Sequence, residues 1–497
     1  MTGPRQVRTG GALGAELEIA LQLPDRATRR TRRDLYEQLK IAIHTGRLAP
    51  GLRMPASRDL AMRLGLSRNT ITTVYELLVS EGRLQARPGS GTFVAAGHAA
   101  DPRPAPQADM AARIRADWRA WRPPALPPRA RHQFFLGLPD FTSFPWEAWR
   151  KLVNRVLRQY GRGPLRPTPP QGSPDLRQAI ASHLSSARGI ACRAEDIIVT
   201  AGAQQAFDIL ARVLVHRPGV VVAVEDPGYA PIRRALQAAG GAVVGVPVDD
   251  DGILVGAVPP DAEVICVTPS HQFPLGVPMS PARRRALLDH VRQTGAIVIE
   301  DDYDGEFRFD GRPLEALQTL DTSGQVIYVG TFSKSLFPGL RLGYVVAPEW
   351  ARNPLLAAKQ ISGPAPSTAQ IALAAFITEG HLGRHVRRMR RIYGERRQAL
   401  FEAVAEAPAG WLEPFPSAAG LHLSLRLPPG ADPARVLELA AELGVGAYSL
   451  AQFAEGPIAQ NGLVLGYGGL GVEEVRLGAA ALVQAVRGPA LAPGMGA

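Results

Sequence analysis

From about residue 195 the chain repeats one pattern: a short β-branched run, then a stretch whose apolar positions recur at helical spacing. EDIIVT, VVVAVE, AVVGVPV, EVICVT, AIVIED, QVIYVG and LGYVVA read as strands. QQAFDILARVLV, APIRRALQAAG and SPARRRALLDHVRQT, set among them, read as helices. Strands alternating with helices predict a doubly wound, mostly parallel α/β sheet.

The N-terminal part has a different rhythm. RDLYEQLKIAIHTG, residues 33 to 46, puts Leu35, Leu39, Ala42 and Ile43 on one helical face and stops at Gly46. LAMRLG and NTITTVYELLVSEG give two short helices joined through Gly65, with Ser57 and Ser67 placed as N-caps. LQARPGSGTFVAA then reads as two short strands around a Pro-Gly-Ser-Gly tip. The sum is a winged helix-turn-helix.

These patterns divide the chain. Residues 1–25 form a tail, 26–96 the winged module, and 97–130 a linker with prolines at both ends around a short possible helix. Residues 131–487 form the α/β body, with a small C-terminal α+β subdomain from about 385, and 488–497 a second tail. Charge follows the same division. Net charge is +11, yet residues 132–497 hold 34 Lys+Arg against 34 Asp+Glu. Residues 26–96 alone hold 13 against 5.

A basic module on a neutral body implies a polyanion partner for that module. In a winged helix this is double-stranded operator DNA. Ser67, Arg68, Asn69 and Thr70 open the second helix, where side chains reach base edges or phosphates. Arg58 opens the preceding helix and suits a backbone phosphate, and Gly89 and Ser90 form the wing tip.

Composition excludes other classes. Hydrophobic residues at 46% and charged residues at 20% describe a globular protein. No stretch approaches the roughly 20 apolar residues of a membrane span, and the N-terminus lacks the pattern of a secretory signal. Two cysteines, Cys192 and Cys266, argue for a reducing compartment, the cytoplasm, and against a thiolate metal site. No metal is expected.

The sharpest chemical signal lies in GTFSKSLFPGLRLGY, residues 330–344. The chain has only four lysines (Lys40, Lys151, Lys334 and Lys359) among 56 basic residues. A lysine where arginine is the rule points to work that needs a neutral, nucleophilic amine, such as imine formation. An imine-forming lysine suggests pyridoxal 5′-phosphate, and the other groups this cofactor needs occur in order. TAGAQQAF offers Gly202, Ala203 and Gln204 at a helix N-terminus for the phosphate. Tyr229 in EDPGY offers an aromatic face; Asp301 offers a carboxylate for the ring nitrogen; Tyr303 offers a donor for the phenolic oxygen. Thr331 and Arg341 bracket Lys334 and suit the phosphate. All lie at strand ends, where ligands of α/β sheets bind.

The winged module resembles the GntR superfamily over LYEQLKIAIHTGRLAPGLRMPASRDLAMRLGLSRNTITTVYELLVSEGRLQARPGSGTFV. The body resembles the fold-type I aminotransferases over residues 131–487, and the two together resemble the MocR (GabR-like) regulators. The runs that carry this are FFLGLPDFTSFPWEAWRKL, VTAGAQQAFDILARVL, VEDPGYAPIRRAL, VTPSHQFPLGVPMSPARRRALL, IEDDYDGEFRF and YVGTFSKSLFPGLRLGYVVAP. The resemblance implies that Lys334 carries the internal aldimine of pyridoxal phosphate, Asp301 pairs with the ring nitrogen and Tyr303 bonds the phenolic oxygen. It implies that Tyr229 stacks on the ring and that Gly202, Ala203, Thr331 and Arg341 hold the phosphate. Gln204, Ser333 and His271 complete the implied cofactor set, with His271 and Gln272 in a loop that lines the site. A homodimer is implied, with the site at its interface.

One departure bears on function. Aminotransferases bind the substrate carboxylate with an arginine of the small domain, but no Arg or Lys lies between Arg435 and Arg476. Arg233 or a partner subunit could supply the cation. The reading is therefore a regulator, not an enzyme, that senses pyridoxal phosphate itself, in control of vitamin B6 metabolism, or else a small amine or amino acid. A residual half-transamination stays open. The alternatives are a working aminotransferase tethered by its DNA-binding module, and a regulator whose α/β domain has lost the cofactor.

Overall fold

A computed structural model describes residues 29–95, 130–160, 168–309, 315–456 and 460–487, with short pieces at 6–7, 21–22, 113–115 and 118. Most of both tails and of the segment 97–130, with the short helix expected there, lie outside the described residues. The chain divides into two compact units, Met1–Arg122 and Pro123–Ala497.

In the first unit, α1 (Arg29–His44), α2 (Ser57–Leu64) and α3 (Arg68–Ser80) precede a hairpin of β1 (Leu84–Arg87) and β2 (Gly91–Val94). The apolar stripe of α1 is buried as its spacing predicts: Leu35, Leu39, Ala42 and Ile43 pack with Ile71, Val74 and Leu78 of α3. Ser67 caps α3, its hydroxyl accepting from the amide of Thr70 at 3.2 Å. The expectation for Ser57 is corrected. Ala56 occupies the N-cap of α2, without a side-chain cap, and Ser57 is the first helical residue. The carbonyl of Ala56 already accepts from the amide of Leu60, so the helix begins one residue early. β1 and β2 pair antiparallel from Leu84↔Val94 to Arg87↔Gly91, which leaves Pro88, Gly89 and Ser90 at the tip.

The first helices of the second unit are α4 (Trp146–Tyr160) and α5 (Pro174–Arg188). The alternating region follows as β3 (Ile197–Thr200), α6 (Ala203–Leu214), β4 (Val221–Asp226), α7 (Ala230–Ala238), β5 (Ala242–Asp249) and β6 (Gly252–Ile253). It continues through β7 (Val264–Val267), α8 (Pro281–Thr294), β8 (Ile297–Asp302), β9 (Val326–Thr331) and β10 (Gly343–Val346). These strands form one sheet in the order β3-β10-β9-β8-β7-β4-β5-β6. β4, β5, β7, β8 and β9 pair parallel, whereas β10 is antiparallel to both β9 and β3. The sheet is thus mostly parallel, with LGYVVA reversed inside it and the short β6 antiparallel to β5 at its edge.

Both faces are covered, which is why the strands read as nearly continuous apolar runs. Phe207, Leu210, Val222 and Ile327 pack on one side; Ile265, Leu287, Val291 and Val298 pack on the other. Register then builds the site. Asp301 at the end of β8 pairs with Val329 of β9, Thr331 with Gly343 of β10, and Gly343 with Thr200 of β3.

Helices α9 (Glu349–Ser362), α10 (Ser367–Thr378) and α11 (His381–Val404) lead to a smaller antiparallel sheet. Its strands β11 (Glu413–Pro414), β12 (His422–Arg426), β13 (Tyr448–Ser449) and β14 (Gly462–Gly466) lie in the order β11-β12-β14-β13. Helices α12 (Pro433–Glu442) and α13 (Val472–Arg487) complete the chain's described part.

Candidate functional site

A cavity of about 770 Å³ opens at the strand ends of the larger sheet. Ala203, Gln204, Tyr229, Asp301, Tyr303, Thr331, Ser333, Lys334 and Arg341, nine of the residues singled out in the sequence, line it. They come from α6, the start of α7, the end of β8, the end of β9 and the loop before β10. The parallel topology is what gathers them.

Lys334 is the chemical centre. Its ammonium donates to the carbonyl oxygen of Gly137 at 3.0 Å. Burial lowers its pKa, against the opposing pull of Asp304 and Asp301. That is the direction a nucleophilic amine needs. Gly137 has φ of 66°, and a Cβ there would lie 2.1 Å from Nζ, so any other residue would push the lysine from this position.

Asp301 is 4% exposed, and its Oδ1 has no hydrogen-bond partner. Burial, then the charges of Asp302 and Asp304, push its carboxyl up to about 8. A buried carboxyl oxygen without a partner is costly, and a protonated ring nitrogen would satisfy it. The residues present therefore fit a pyridinium.

Another part of the cavity fits an anion. Arg341 sits at φ 51°, the one non-glycine residue with positive φ among the described residues. Such backbone costs about 1 kcal/mol or more and persists where surrounding structure holds it. Its guanidinium packs over Gly202, where a Cβ would meet Cζ at 3.4 Å, at the N-terminus of α6. Backbone N–H groups and an arginine thus converge on one anion position. Ser333 donates its amide to Thr331 Oγ1 at 3.2 Å, which fixes both hydroxyls beside Lys334. Tyr229 meets Phe273 and Phe207 edge-on, with ring centroids 5.5 and 6.1 Å away.

Two expected residues stand outside the lining. Gly202 serves as the seat for Arg341. His271 is 1% exposed and lies behind Tyr303, its Nδ1 3.0 Å from the tyrosine oxygen and 3.0 Å from Asp304 Oδ2. Gln272 ties its loop to the one after β4, donating to the carbonyls of Phe273 and Pro227. Arg233 does not supply the missing cation, because it is buried and paired with Glu455 at 3.1 Å and Asp226 at 3.6 Å.

Sequence reasoning missed several lining residues: Gly137, Arg234, Phe273, Asp304, His422, Tyr448, Gln452 and Phe453. Asp304 was visible in EDDYD, three positions after Asp301. Tyr448, Gln452 and Phe453 come from the smaller sheet's β13 and the turn after it, which no local signal marks.

On the first unit, Arg58, Ser67, Arg68, Asn69, Gly89 and Ser90 are exposed, and Thr70 is half-buried. The hydroxyls of Ser67 and Thr70 lie 2.8 Å apart and close the cap, leaving Arg68 and Asn69 as the outward groups of the first turn. At the wing, the Arg87 guanidinium lies over the Phe93 ring, 4.7 Å from its centroid.

A mostly parallel sheet with lysine, acid, tyrosine and arginine at its strand ends defines the fold-type I aminotransferase class. Residues 135–455 match the family of class I and II aminotransferases, and residues 31–94 that of bacterial regulatory proteins of the gntR family. The chain is 38% identical over 456 residues to the probable rhizopine catabolism regulatory protein MocR of Rhizobium meliloti, covering 90% of this chain and 92% of that one. It is 34% identical to the HTH-type pyridoxine biosynthesis transcriptional regulator PdxR of Corynebacterium glutamicum, covering 91% and 95%. The crystal structure of Pyrococcus horikoshii kynurenine aminotransferase in complex with PMP superposes with a TM-score of 0.69 at 27% identity, over 76% of this chain and 98% of that one. The chain belongs to the MocR-type family of transcriptional regulators, a GntR winged helix-turn-helix joined to an aminotransferase class I and II domain.

Proposed function

We propose that this HTH-type transcriptional regulator changes its affinity for operator DNA with the occupancy of the Lys334 cavity, and that pyridoxal 5′-phosphate is the signal. The domain's cofactor is pyridoxal 5′-phosphate, which supplies an aldehyde for a lysine amine and an electron-withdrawing ring. In this reading Lys334 provides the attacking nitrogen, and burial keeps that nitrogen closer to neutral. Asp301 holds the ring nitrogen's proton, Tyr229 covers the ring, and Tyr303 faces the phenolic oxygen. Arg341, Thr331, Ser333 and the first amides of α6 hold the phosphate.

The observation that carries the cofactor-sensing reading is the allocation of charge. Lys334 and Arg341 are both taken by the cofactor, and β13 with its following turn contributes only the uncharged Tyr448, Gln452 and Phe453. Among the described residues, the small domain places no arginine or lysine in the lining to anchor a substrate carboxylate. Turnover as an aminotransferase is correspondingly disfavoured, since a carboxylate brought against β13 and its following turn would lose water without gaining a cation from them.

One observation favours a second reading. Arg234 of α7 also lines the cavity. It is placed to meet an effector that joins an amine to an anionic group. Operator binding at fixed salt, with pyridoxal phosphate alone and then with added amino acids, separates the two. A response to the cofactor alone supports the first. A response that appears only with an amino acid, and is lost in Arg234→Ala, supports the second. The regulator would act as a homodimer that presents two winged helices to two half-sites.

A further inference from the structure

At the cavity wall lies a buried hydrogen-bonded group in which His271 stands outside the lining while Asp304 and Tyr303 border the cavity. His271 Nδ1 lies 3.0 and 3.2 Å from the two carboxylate oxygens of Asp304, and 3.0 Å from the hydroxyl oxygen of Tyr303. His271 and Asp304 are each 1% exposed. Its ring is held by packing: a Cβ on Gly420, whose φ is 89°, would lie 1.9 Å from Cε1. The imidazole is therefore not free to turn its other edge to Asp304.

One ring nitrogen facing three oxygens leaves few proton arrangements. If Nδ1 were bare, its lone pair would face a buried carboxylate, and the Tyr303 hydrogen would be spent on the ring. With the proton on Nδ1, the ring donates to Asp304 and to the tyrosine oxygen together. Among the described residues, His271 is the donor that the structure gives to the Asp304 side chain. His271 Nε2 is buried without a partner. A bare acceptor there is cheaper than an orphaned N–H, which again puts the single proton on Nδ1. His422 stands beside the ring, with centroids 4.6 Å apart. Its Nε2 is 2.9 Å from the carbonyl oxygen of Pro274, to which it donates, so that nitrogen's hydrogen is already used.

We propose that Asp304 and His271 are a positioning pair for Tyr303: the ring, oriented by Asp304, donates to the tyrosine oxygen and so turns the tyrosine's own hydrogen into the cavity. The acceptor there is the cofactor's phenolic oxygen, so the inference rests on the role given to Tyr303 above. His271 stands outside the cavity lining, and Asp304 borders the cavity while holding the ring. The pair sets how strongly the phenolic oxygen holds charge, and hence the pH at which the bound cofactor changes its visible absorption.

The charged and titratable groups around the ring are Asp304 and Tyr303, His422 from β12, and Tyr467, whose hydroxyl donates to the Gly420 carbonyl at 2.6 Å. Arg397 lies on α11 beyond Ser417, and Asp301 and Lys334 lie on the cavity side. None of these but Asp304 and Tyr303 hydrogen-bonds His271 among the described residues.

The test is a spectroscopic pH titration of the full-length protein loaded with pyridoxal phosphate. The variants are Tyr303→Phe, Asp304→Asn and His271→Leu, with the last two repeated in the Tyr303→Phe background. Losing a donor makes the phenolic oxygen more basic, so Tyr303→Phe raises the transition midpoint, by about one pH unit. An asparagine at 304 lacks the charge that holds the proton on Nδ1, and its amide N–H can donate to that nitrogen, which then has no hydrogen for the tyrosine oxygen. His271→Leu therefore raises the midpoint like Tyr303→Phe and adds nothing once Tyr303 is phenylalanine. Asp304→Asn also removes a charge that pulls on Lys334, so its shift in the wild-type background is upward only relative to its shift in the Tyr303→Phe background. Asp304→Asn keeps the side chain's shape, so the test stands even if His271→Leu does not fold. Equal shifts in both backgrounds, or none in the single variants while Tyr303→Phe shifts, overturn the pair. No shift in Tyr303→Phe itself overturns the role of that tyrosine, and the inference with it.

Discussion

The Lys334 ammonium donates to the backbone carbonyl of Gly137 at 3.0 Å, across 197 positions of sequence. The contact joins the N-terminal edge of the aminotransferase-like unit to the end of β9. It holds the amine inside the cavity before any aldehyde arrives. Lys334→Ala and Lys334→Arg are both expected to yield protein without a covalently held chromophore after gel filtration, because a guanidinium stays protonated. A retained visible band in either variant would contradict the assignment.

Gly137 gives a second, milder handle on the same contact. A methyl group 2.1 Å from Nζ, on backbone at φ 66°, must displace the lysine or the loop. Gly137→Ala is expected to weaken cofactor binding by at least about tenfold, or roughly 1.4 kcal/mol, as read from a fluorescence titration. Unchanged affinity would mean that the lysine leaves this position on binding.

Asp301 carries a pH signature in the cofactor-free protein. Its folded carboxyl lies at about 8, above the ordinary carboxylate value of 3.8. Between those values the unfolded chain gives up a proton that the folded chain keeps. This group's contribution to stability is therefore full at low pH and is lost as pH rises towards 8. Asp301→Asn removes the loss. Its cofactor-free form is expected to be more stable than wild type at pH near 8, by an amount of the order of 1 kcal/mol or more, with the difference shrinking towards pH 4. The same variant binds pyridoxal phosphate more weakly. Parallel denaturation curves at all pH values would contradict this.

On the winged helix, Arg68 and Ser67 should separate cleanly. Arg68→Ala is expected to weaken operator binding and to reduce the salt slope by about one phosphate contact, with thermal stability unchanged. Ser67→Ala removes the cap on α3 and is expected to cost about 1 kcal/mol of stability, seen as a lower melting temperature of the DNA-binding unit. Equal melting temperatures for the two variants would contradict the division of roles.

Most of this architecture was legible because one local rule repeats. A doubly covered sheet makes every strand a short apolar run, so EDIIVT, VVVAVE and their successors declare themselves. The ligand groups then fall at the strand ends by topology, which is why Asp301, Tyr303, Lys334 and Arg341 could be named together. Ser57 was misplaced by one residue because a serine cap and a serine in the first turn look alike in sequence. Gly137, His422 and the Tyr448–Phe453 wall came from segments far away in sequence, brought in by tertiary packing alone. His271 was assigned to the cofactor set, whereas its contacts run to Tyr303 and Asp304. Arg233 and Arg234 are neighbours in one helix, and only the fold distinguishes the one buried against Glu455 and Asp226 from the one that lines the cavity.

The central claim is that occupancy of the Lys334 cavity controls DNA affinity, and the most direct test is operator binding at one fixed salt concentration. It compares wild type and Lys334→Ala, each with and without pyridoxal phosphate. The account predicts that the cofactor changes the wild-type affinity severalfold and leaves Lys334→Ala unmoved. Identical wild-type affinity with and without the cofactor, or an equal response in Lys334→Ala, would contradict it.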